Sequence, residues 1–393
     1  MKEGWEYKKL GEVCRIERGG SPRPIKDFIT NSPDGLNWIK IGDTDPQGKY
    51  IYSTKEKIKP EGLRKSRWVE VDEFLLSNSM SFGRPYILKT NGCIHDGWLV
   101  LRDYQNSLII DYFYYLLISP HVQNQFRTKA QGSTVSNLNT DRVADVNIAF
   151  PPLSEQQSIV DYLDSAFAKI DAMKANAEKA LNEAKALFQA SLKEMLEPKE
   201  GWEENTLKDV SVICGNYGLS VPSTEYNGVR YLRITDITEW GDLNDEKVSA
   251  KLDEEKGQEL LEEGDILFAR TGATVGKTLM YKEAFGKCLF AGYLIRYRLN
   301  KEMVLPNFIF YVTHSDEYYK WVLENQKAAA QPNISAKLYN EYVVSYPSLS
   351  EQQSIVETLD SLKSKVDRLQ ANYDKISQEC DALKQAILRK VFE

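Results

Sequence analysis

The segment 272–278 contains residue types that bind a nucleotide phosphate. It reads Gly-Ala-Thr-Val-Gly-Lys-Thr, and a phosphate-binding loop holds phosphate oxygens through its backbone N–H groups and its lysine. That motif needs four residues between its two glycines, and Thr271 stands where the first glycine belongs. The spacing therefore argues against nucleotide hydrolysis.

The other chemically reactive residues are not arranged for catalysis or metal binding. Phe150-Pro151-Pro152-Leu153 is similar to the Pro-Pro motif of DNA adenine methyltransferases, but phenylalanine replaces the polar residue that must precede the prolines. The three histidines lack metal-ligand spacing, and the five cysteines form no Cys-x-x-Cys pair. We therefore expect no catalytic, cofactor or metal site in the chain, and we expect the thiols to be free and buried.

Composition places the chain among soluble globular proteins. Its 393 residues are 42% hydrophobic, and this length suggests two or three domains. No apolar run approaches the roughly 20 residues that span a bilayer, and the first residues lack a signal-peptide core. These features predict a cytoplasmic protein without a membrane partner.

The charge distribution limits how the chain could bind nucleic acid. A net charge of −7 disfavours a broadly basic DNA-binding face. Residues 1–152 nevertheless carry 21 Lys and Arg against 18 Asp and Glu, and ten acidic residues are concentrated in 239–263. Any DNA contact must then be local, with a partner supplying much of the electrostatic affinity.

The sequence contains one unit of about 197 residues twice. Leu-Ser-Glu-Gln-Gln-Ser-Ile-Val occurs at 153–160 and again at 349–356, and the Gly-Trp-Glu at 4–6 recurs at 201–203. Inside the unit, 38–43 is similar to 231–236, and 72–83 aligns with 265–276, whereas the rest diverges. Similar ends and different interiors indicate a common frame that carries two binding surfaces.

Each copy of the octapeptide begins a long helix. Ser154 is a suitable N-cap, with Gln157 at the capping-box position. Apolar or small residues then recur with the 3.5-residue period of a coiled coil, which disfavours two separate amphipathic helices. In the first copy the register shifts after Leu187 towards Phe188, and Pro198 ends the helix. The periodic positions are 159, 163, 166, 170, 173, 177, 180, 184 and 187 in the first helix and run from Ile355 to Ile387 in the second.

Connectivity then predicts the architecture. Short β-type runs at 97–101 and 292–297, with helical patterns at 109–119 and 306–325, indicate globular regions of mixed strands and helices, an α/β (α+β) fold. We expect these regions at 1–150 and 198–346, joined by long helices at 151–197 and 347–393 that form an antiparallel coiled coil with pseudo-twofold symmetry. A helix of about 43 residues is roughly 64 Å long, so the pair would act as a ruler between the two regions.

Several of these motifs together resemble those of type I restriction-modification specificity subunits. They are the octapeptide at the entry to each long helix, the Gly-Trp opening of each half, and the loops Gly-Gly-Ser-Pro-Arg at 19–23 and Gln-Gly-Ser-Thr-Val-Ser-Asn-Leu at 131–138. The resemblance covers essentially the whole chain. The second half departs from it, with Gly-Asn-Tyr-Gly at 215–218 and Ala-Gln-Pro-Asn-Ile-Ser at 330–335 in the corresponding places.

The resemblance implies a function and partners. Each globular region would be a target recognition domain that reads one half of a bipartite site in double-stranded DNA, and the helices would dock two methyltransferase subunits. It leaves open whether restriction and translocase subunits also join. S-adenosylmethionine, ATP and magnesium would bind only to those partners, so this chain would be a non-catalytic subunit.

Polar residues in the divergent loops are candidate DNA contacts, because Arg and Lys read guanine, Asn and Gln read adenine, and Ser or Thr reads either. Each could instead be a solvated or turn-stabilising side chain, and this holds equally for His95, which precedes Asp96 in a turn before a strand. The candidates are Ser21, Arg23, Lys40, Ser81, Arg84, His95, Gln131, Ser133 and Asn137 in the first half and Tyr217, Arg233, Arg270, Thr274, Lys277, Gln331 and Asn333 in the second.

A second hypothesis, from a different functional class, is a scaffold that does not contact DNA. Its coiled coil would join two protein-binding modules. Salt-dependent, sequence-selective DNA binding by the assembled complex would exclude this hypothesis.

Lengthening both long helices by one heptad tests the ruler. We expect the unread gap of a two-part DNA motif to lengthen while both half-sites stay the same, because spacing and base reading belong to different parts of the chain. Sequencing of methylated sites in cells that carry the variant measures both quantities. A change in either half-site would contradict this separation of roles.

Overall fold

The computed structural model describes residues 4–46, 48–78, 82–130, 138–252, 260–326 and 332–393. The chain divides into two compact units, 1–177 with 373–393, and 178–372. Each unit contains a globular part and about half of each long helix. Among the described residues, no helix is both long and apolar enough to cross a membrane.

The first unit has two five-stranded sheets, ordered β3-β6-β4-β10-β7 and β2-β11-β8-β9-β5, and a β1-β12 pair. Its elements are β1 (Glu6–Lys9), α1 (Leu10–Val13), β2 (Arg15–Arg18), β3 (Ile29–Thr30), β4 (Leu36–Ile39), β5 (Tyr50–Ile51), β6 (Glu56–Ile58), β7 (Arg67–Val69), β8 (Phe74–Ser77), β9 (Pro85–Leu88), β10 (Gly92–Ile94), β11 (Trp98–Arg102), α2 (Ile110–Ile118), α3 (Pro120–Ala130), α4 (Thr140–Ala144), β12 (Asn147–Phe150) and the start of α5 (Leu153–Leu196).

The second unit has a four-stranded sheet, ordered β14-β21-β18-β19, and three strand pairs, β13-β22, β15-β17 and β16-β20. Its elements are β13 (Glu203–Thr206), β14 (Ser211–Tyr217), β15 (Ser223–Thr224), β16 (Arg230–Leu232), β17 (Ser249–Ala250), β18 (Ile266–Ala269), β19 (Thr278–Met280), β20 (Cys288–Phe290), β21 (Leu294–Leu299), α6 (Pro306–Val312), α7 (Asp316–Asn325), α8 (Ala336–Asn340), β22 (Val343–Tyr346) and the start of α9 (Leu349–Phe392). The helical pattern at 306–325 therefore forms two helices, with a break at Thr313–Ser315.

Runs of consecutive apolar residues form interior strands of the main sheet in each unit. In β11, Leu99 and Leu101 belong to the core that the helices cover, whereas Trp98 and Val100 belong to a second core between the two sheets. Strand β18 divides its side chains between two cores in the same way. Alternate residues of a strand face opposite sides, so a strand that is covered on both faces is apolar throughout.

A buried glutamine attaches the start of each long helix to its globular part. Gln156 is fully buried; its Oε1 accepts the Ile109 N–H, and its Nε2 donates to the carbonyls of Ser107 and Pro151. Gln352 repeats all three bonds in the second unit. The predicted capping box is wrong, because Gln157 donates to Asp161 within the helix instead of reaching back to Ser154.

The long helices pack antiparallel within each unit, as predicted. Lys384 Nζ lies 2.5 Å from Asp171 Oδ1 in the first unit, and Lys185 Nζ donates to Gln370 Oε1 at 2.7 Å in the second. The seam of α5 changes register earlier than the sequence predicts. After the buried Ile170, the positions at 173 and 180 are exposed and those at 174 and 181 are more buried, because a step of four replaces a step of three. The predicted shift to Phe188 is confirmed.

The two units repeat the same hydrogen bonds in the turn before β8 and β18, and these bonds correct the sequence alignment by one residue. Glu73 accepts the Glu70 N–H, and Asp265 accepts the Glu262 N–H. Glu73 therefore corresponds to Asp265, so the alignment of 72 with 265 is wrong along the strand. The Gly83 N–H donates to the Ser77 carbonyl, and the Gly276 N–H donates to the Ala269 carbonyl in the same way. The loop of the second unit is therefore one residue longer, which restores the predicted alignment of 83 with 276.

Replacing the buried glutamines tests how the long helices are attached. We expect Gln352→Leu to lower the free energy of unfolding by about 3 kcal/mol, because it leaves buried backbone partners without hydrogen bonds. Gln353→Leu, which alters the neighbouring exposed position, should change stability by less than about 0.5 kcal/mol. Urea unfolding of the full chain measures both; equal effects would contradict the role of Gln352.

Candidate DNA interface

Asp96 joins three loops at one end of the first unit. Its carboxylate accepts the Ser21 hydroxyl at 2.6 Å and lies 3.4 Å from the Arg23 guanidinium. Its carbonyl accepts Asn78 Nδ2 at 2.9 Å and Arg18 Nε at 3.2 Å. The hydrogen bond from Ser21 lowers the pKa of the Asp96 carboxyl, so the acceptor stays charged at neutral pH and fixes the loops to one another.

The Gly-Gly pair lets the loop 19–23 approach the turn at His95. The Gly19 N–H donates to the Trp98 carbonyl at 2.9 Å, and a Cβ on Gly19 would lie 2.2 Å from the His95 carbonyl oxygen. A Cβ on Gly20 would lie 2.7 Å from the Lys65 carbonyl oxygen. Larger residues would therefore push the loop away from the turn.

Four of the predicted contacts meet around one groove in the first unit. The groove has a volume of about 780 Å³ and an apolar lining of Pro22, Pro24, Ile25 and Trp38. The Arg23 side chain is 79% exposed, and Lys40 Nζ pairs with Glu56 Oε1 at 2.7 Å. The predicted residues that line the groove are Ser21, Arg23, Lys40 and His95.

The His95 ring is engaged by the backbone. The Gly97 N–H points at Nδ1 at 2.7 Å, and the Ile41 N–H points at Nε2 at 3.2 Å. Burial lowers the pKa of His95, and nearby Lys40 adds to this. A neutral imidazole accepts through only one nitrogen, and the shorter contact assigns that role to Nδ1. The ring therefore holds the turn in place, and a direct DNA contact stays a prediction.

Arg84, the remaining predicted residue of the first unit that the structure describes, does not line the groove. Arg84 places its guanidinium 5.6 Å from the centre of the Tyr86 ring, and its backbone pairs with Ser77. The predicted residues Ser81, Gln131, Ser133 and Asn137 lie outside the described residues, as does Gln331 of the second half.

In the second unit, the loop 270–277 brings predicted contacts together. The Arg270 guanidinium lies 4.9 Å from the centre of the Tyr217 ring, and Asn333 forms a β-bridge with Thr271. Thr274 Oγ1 donates to the Thr271 carbonyl. Five predicted residues are thus gathered at this loop, namely Tyr217, Arg270, Thr274, Lys277 and Asn333.

The same loop does not form a phosphate cradle. The N–H groups of Val275, Gly276 and Lys277 donate to carbonyls within the loop and the adjacent strand. Because these donors are already used, they cannot surround a phosphate. The absence of a nucleotide site in this chain stays a prediction.

Arg233 lies elsewhere in the second unit. Its guanidinium pairs with Asp236 at 2.7 Å and with Glu246 at 3.1 Å. Its backbone N–H donates to Asp236 Oδ2, as that of Lys40 does to Asp43 Oδ2. Both the backbone N–H and the guanidinium of Arg233 are therefore bonded within the second unit.

The structure corrects the predicted counterpart of the loop 19–23. The Gly218 N–H donates to the Leu294 carbonyl, as Gly19 does to Trp98, and the next residue of each loop repeats the pattern. A Cβ on Gly218 would lie 2.2 Å from the Phe290 carbonyl oxygen. The counterpart is therefore 218–222, and the assignment of 215–218 is wrong.

Sequence reasoning missed residues at the end of the main sheet in each unit, beside the candidate contacts. Arg18 is the last residue of β2, Asn78 directly follows β8, and Tyr293 directly precedes β21. Their signal was position, since a residue that flanks a buried strand is held at the end of its sheet. They lacked the unusual motif that drew attention to neighbouring loops.

Comparison with known proteins adds a family match over both halves. The family model described as "Type I restriction modification DNA specificity domain" matches residues 2–183 and 199–378. The EcoBI specificity subunit of Escherichia coli is 24% identical over 100% of this chain and 86% of its own length. The EcoKI specificity subunit of Escherichia coli K12 is 27% identical over 100% and 89%, and the MjaVIII specificity subunit of Methanocaldococcus jannaschii is 22% identical over 93% and 88%.

Solved structures share the fold. A chain from a study of complex assembly and conformational transition of the type I R-M system is similar with a TM-score of 0.78 and 21% identity, over 100% of this chain and 98% of that one. The HsdS subunit of Thermoanaerobacter tengcongensis has a TM-score of 0.60 and 22% identity, over 100% and 97%.

Lowering the pH below about 6.5 should weaken the first unit through His95. The folded chain favours the neutral His95 ring, which lowers its pKa below the ordinary value of 6.5. The contribution of the ring to the free energy of unfolding is therefore complete above pH 6.5 and is lost as the pH falls through the lowered pKa. Urea unfolding between pH 7.5 and 5 should show a smaller pH dependence for His95→Gln than for the unmodified chain. His121→Gln, which leaves His95 in place, is the control. Equal pH dependence in His95→Gln and the unmodified chain would contradict the proposed role of the ring.

Proposed function

Since this chain belongs to the family of type I restriction modification DNA specificity domains, we propose that it is the specificity subunit of a type I restriction-modification complex. The observation that carries this proposal is that the family match covers both halves, in which β8 pairs with β11 as β18 pairs with β21, whereas the loops at the ends of these strands differ. Each half would then read a different part of one site in double-stranded DNA. The scaffold hypothesis has no support among the relatives.

The first unit would read DNA with the residues around its groove. The ion pair between Arg23 and Asp96 is long, at 3.4 Å, and the Arg23 side chain is mostly exposed. Such an ion pair contributes little to stability. A phosphate or a guanine edge can replace that carboxylate at small cost. Ser21 and Asp96 would keep the loop in position while Arg23 exchanges partners.

The acidic net charge fits a subunit that does not bind DNA alone. The chain carries 50 Lys and Arg against 57 Asp and Glu, and neutralising phosphates supplies most non-specific affinity. We propose that two methyltransferase subunits provide many of these phosphate contacts, whereas this chain provides base contacts. S-adenosylmethionine, ATP and magnesium would bind to the partner subunits, and this chain would have no catalytic residues.

The paired helices would set the spacing of the two half-sites and dock the methyltransferase subunits. Their antiparallel contacts combine a narrow apolar seam with polar contacts at its edge, which are ion pairs in the first unit and a hydrogen bond between Lys185 and Gln370 in the second. An apolar seam fixes the register of two helices, while the outer faces stay available for other subunits. A nuclease and translocase could join the same complex.

Sequencing of methylated DNA tests the proposed function. Cells that contain this chain and its partner methyltransferase should show one two-part motif with a fixed gap, and deleting the chain should abolish methylation of that motif. Deletion followed by reintroduction of the chain is the control. A continuous motif, or unchanged methylation after deletion, would contradict the proposal.

A further inference from the structure

Three residues of the second unit lie at one end of its four-stranded sheet. Tyr217 ends β14, Arg270 follows β18, and Tyr293 precedes β21. These strands are neighbours in the order β14-β21-β18, and the Arg270 N–H donates to the Tyr293 carbonyl at 3.0 Å. We call these three residues the sheet-end cluster.

Arg270 is held by an aromatic ring instead of a carboxylate. Its guanidinium lies 4.9 Å from the centre of the Tyr217 ring, and the Tyr217 hydroxyl accepts the Ala336 N–H at 3.0 Å. Its Nε is buried without a hydrogen-bond partner, and among the described residues no carboxylate pairs with the guanidinium. The ring therefore orients a cation whose terminal donors remain available to a ligand.

A tyrosine fits at position 293 because a neighbouring side chain is small. The corresponding residue of the first unit is Gly97. The Gly97 carbonyl accepts the Asn78 N–H, just as the Tyr293 carbonyl accepts the Arg270 N–H. A Cβ on Gly97 would lie 2.2 Å from His95 Cε1. The second unit has Ala291 in place of His95, so a tyrosine fits, and Tyr293 is 59% exposed.

The first unit closes the same position with internal hydrogen bonds. There Arg18 and Asn78 both donate to the Asp96 carbonyl, and the residue that corresponds to Asp96 in the second unit is Gly292. Gly292 keeps the backbone carbonyl, but Arg270, in the position of Asn78, places its guanidinium against the Tyr217 ring, and no side-chain hydrogen bond joins Arg270 to that carbonyl among the described residues. The two units thus present different chemistry on the same backbone.

We propose that the sheet-end cluster reads one guanine and its neighbouring base pair in the second half-site. This inference rests on the proposed function. Arg270 presents two parallel N–H donors that match O6 and N7 of guanine in the major groove. Tyr293 makes an apolar contact with the adjacent base pair. Tyr217 is a positioning residue, which aims the guanidinium through its ring.

Methylated-motif sequencing of cells with the full chain and its partner subunits tests this inference. Arg270→Ala should reduce the preference for guanine at one position of the second half-site by about 10- to 100-fold, since each bidentate pair discriminates to that degree. The first half-site should stay unchanged. Tyr293→Gly, which copies the first unit, should relax the adjacent position, and Tyr217→Leu should weaken the same guanine preference as Arg270→Ala.

Two further variants keep the test informative. Lys287→Ala removes the same charge from an exposed cation that is not a candidate contact and that precedes β20, at the opposite end of that strand from Ala291, so it should leave the motif unchanged. Arg270→Lys keeps the charge but loses the planar fork, so it should relax the same guanine. Thermal melting of the purified chains shows whether each variant folds.

Several outcomes would overturn the inference. An unchanged motif in folded Arg270→Ala and Arg270→Lys would exclude base reading by Arg270. Uniform weakening at all positions, with a salt dependence of DNA binding reduced by about one phosphate contact, would assign Arg270 to the DNA backbone instead. If the unmodified chain yields no two-part motif, the proposed function itself fails, and the two failures are therefore distinguishable.

Discussion

The buried glutamine at the start of each long helix is the interaction on which the arrangement of each unit depends. Gln156 and Gln352 bond three backbone groups of the loop that precedes α2 or α6 and of the proline segment before the helix. A second bond repeats nearby, since Tyr115 and Tyr311 each donate to an aspartate of the long helix. Buried polar groups that lack such partners are costly, so each long helix can leave its globular part in only one direction.

This fixed frame explains how one repeated unit carries two different surfaces. Strands that are covered on both faces tolerate few substitutions, because every side chain is packed. The residues that flank these strands meet fewer neighbours and can diverge. In the first unit those positions bond to Asp96, whereas in the second they hold Arg270 on Tyr217. A change of side chain at the strand end alters the surface without altering the sheet.

The cations of the candidate interface differ in how far they are engaged inside the chain. Lys40 and Arg233 pair closely with carboxylates, Arg23 pairs weakly with Asp96, and Arg270 lies on an aromatic ring. A cation that is already paired must give up its partner before it binds DNA, which reduces the net gain. We therefore expect Arg270, with which no described carboxylate pairs, and the weakly paired Arg23 to select bases. We expect the closely paired Lys40 and Arg233 to hold the protein backbone near the interface.

The sequence by itself determined the repeat, the two long helices, the mixed strand and helix fold and the loops that gather most of the candidate contacts, because these depend on local periodicity and on motifs that are contiguous in the chain. It assigned the start of the long helix to a capping box at Gln157, whereas the neighbouring Gln156 attaches the helix to the preceding loop. It also misplaced the alignment of 72 with 265 by one residue and misassigned the counterpart of the loop 19–23. Only the tertiary structure decided that His95 serves the backbone, that Arg233 is paired and that Tyr293 stands beside Arg270. The availability of a charged group depends on which partners the fold brings within a few ångströms, and residues that are distant in sequence supply those partners.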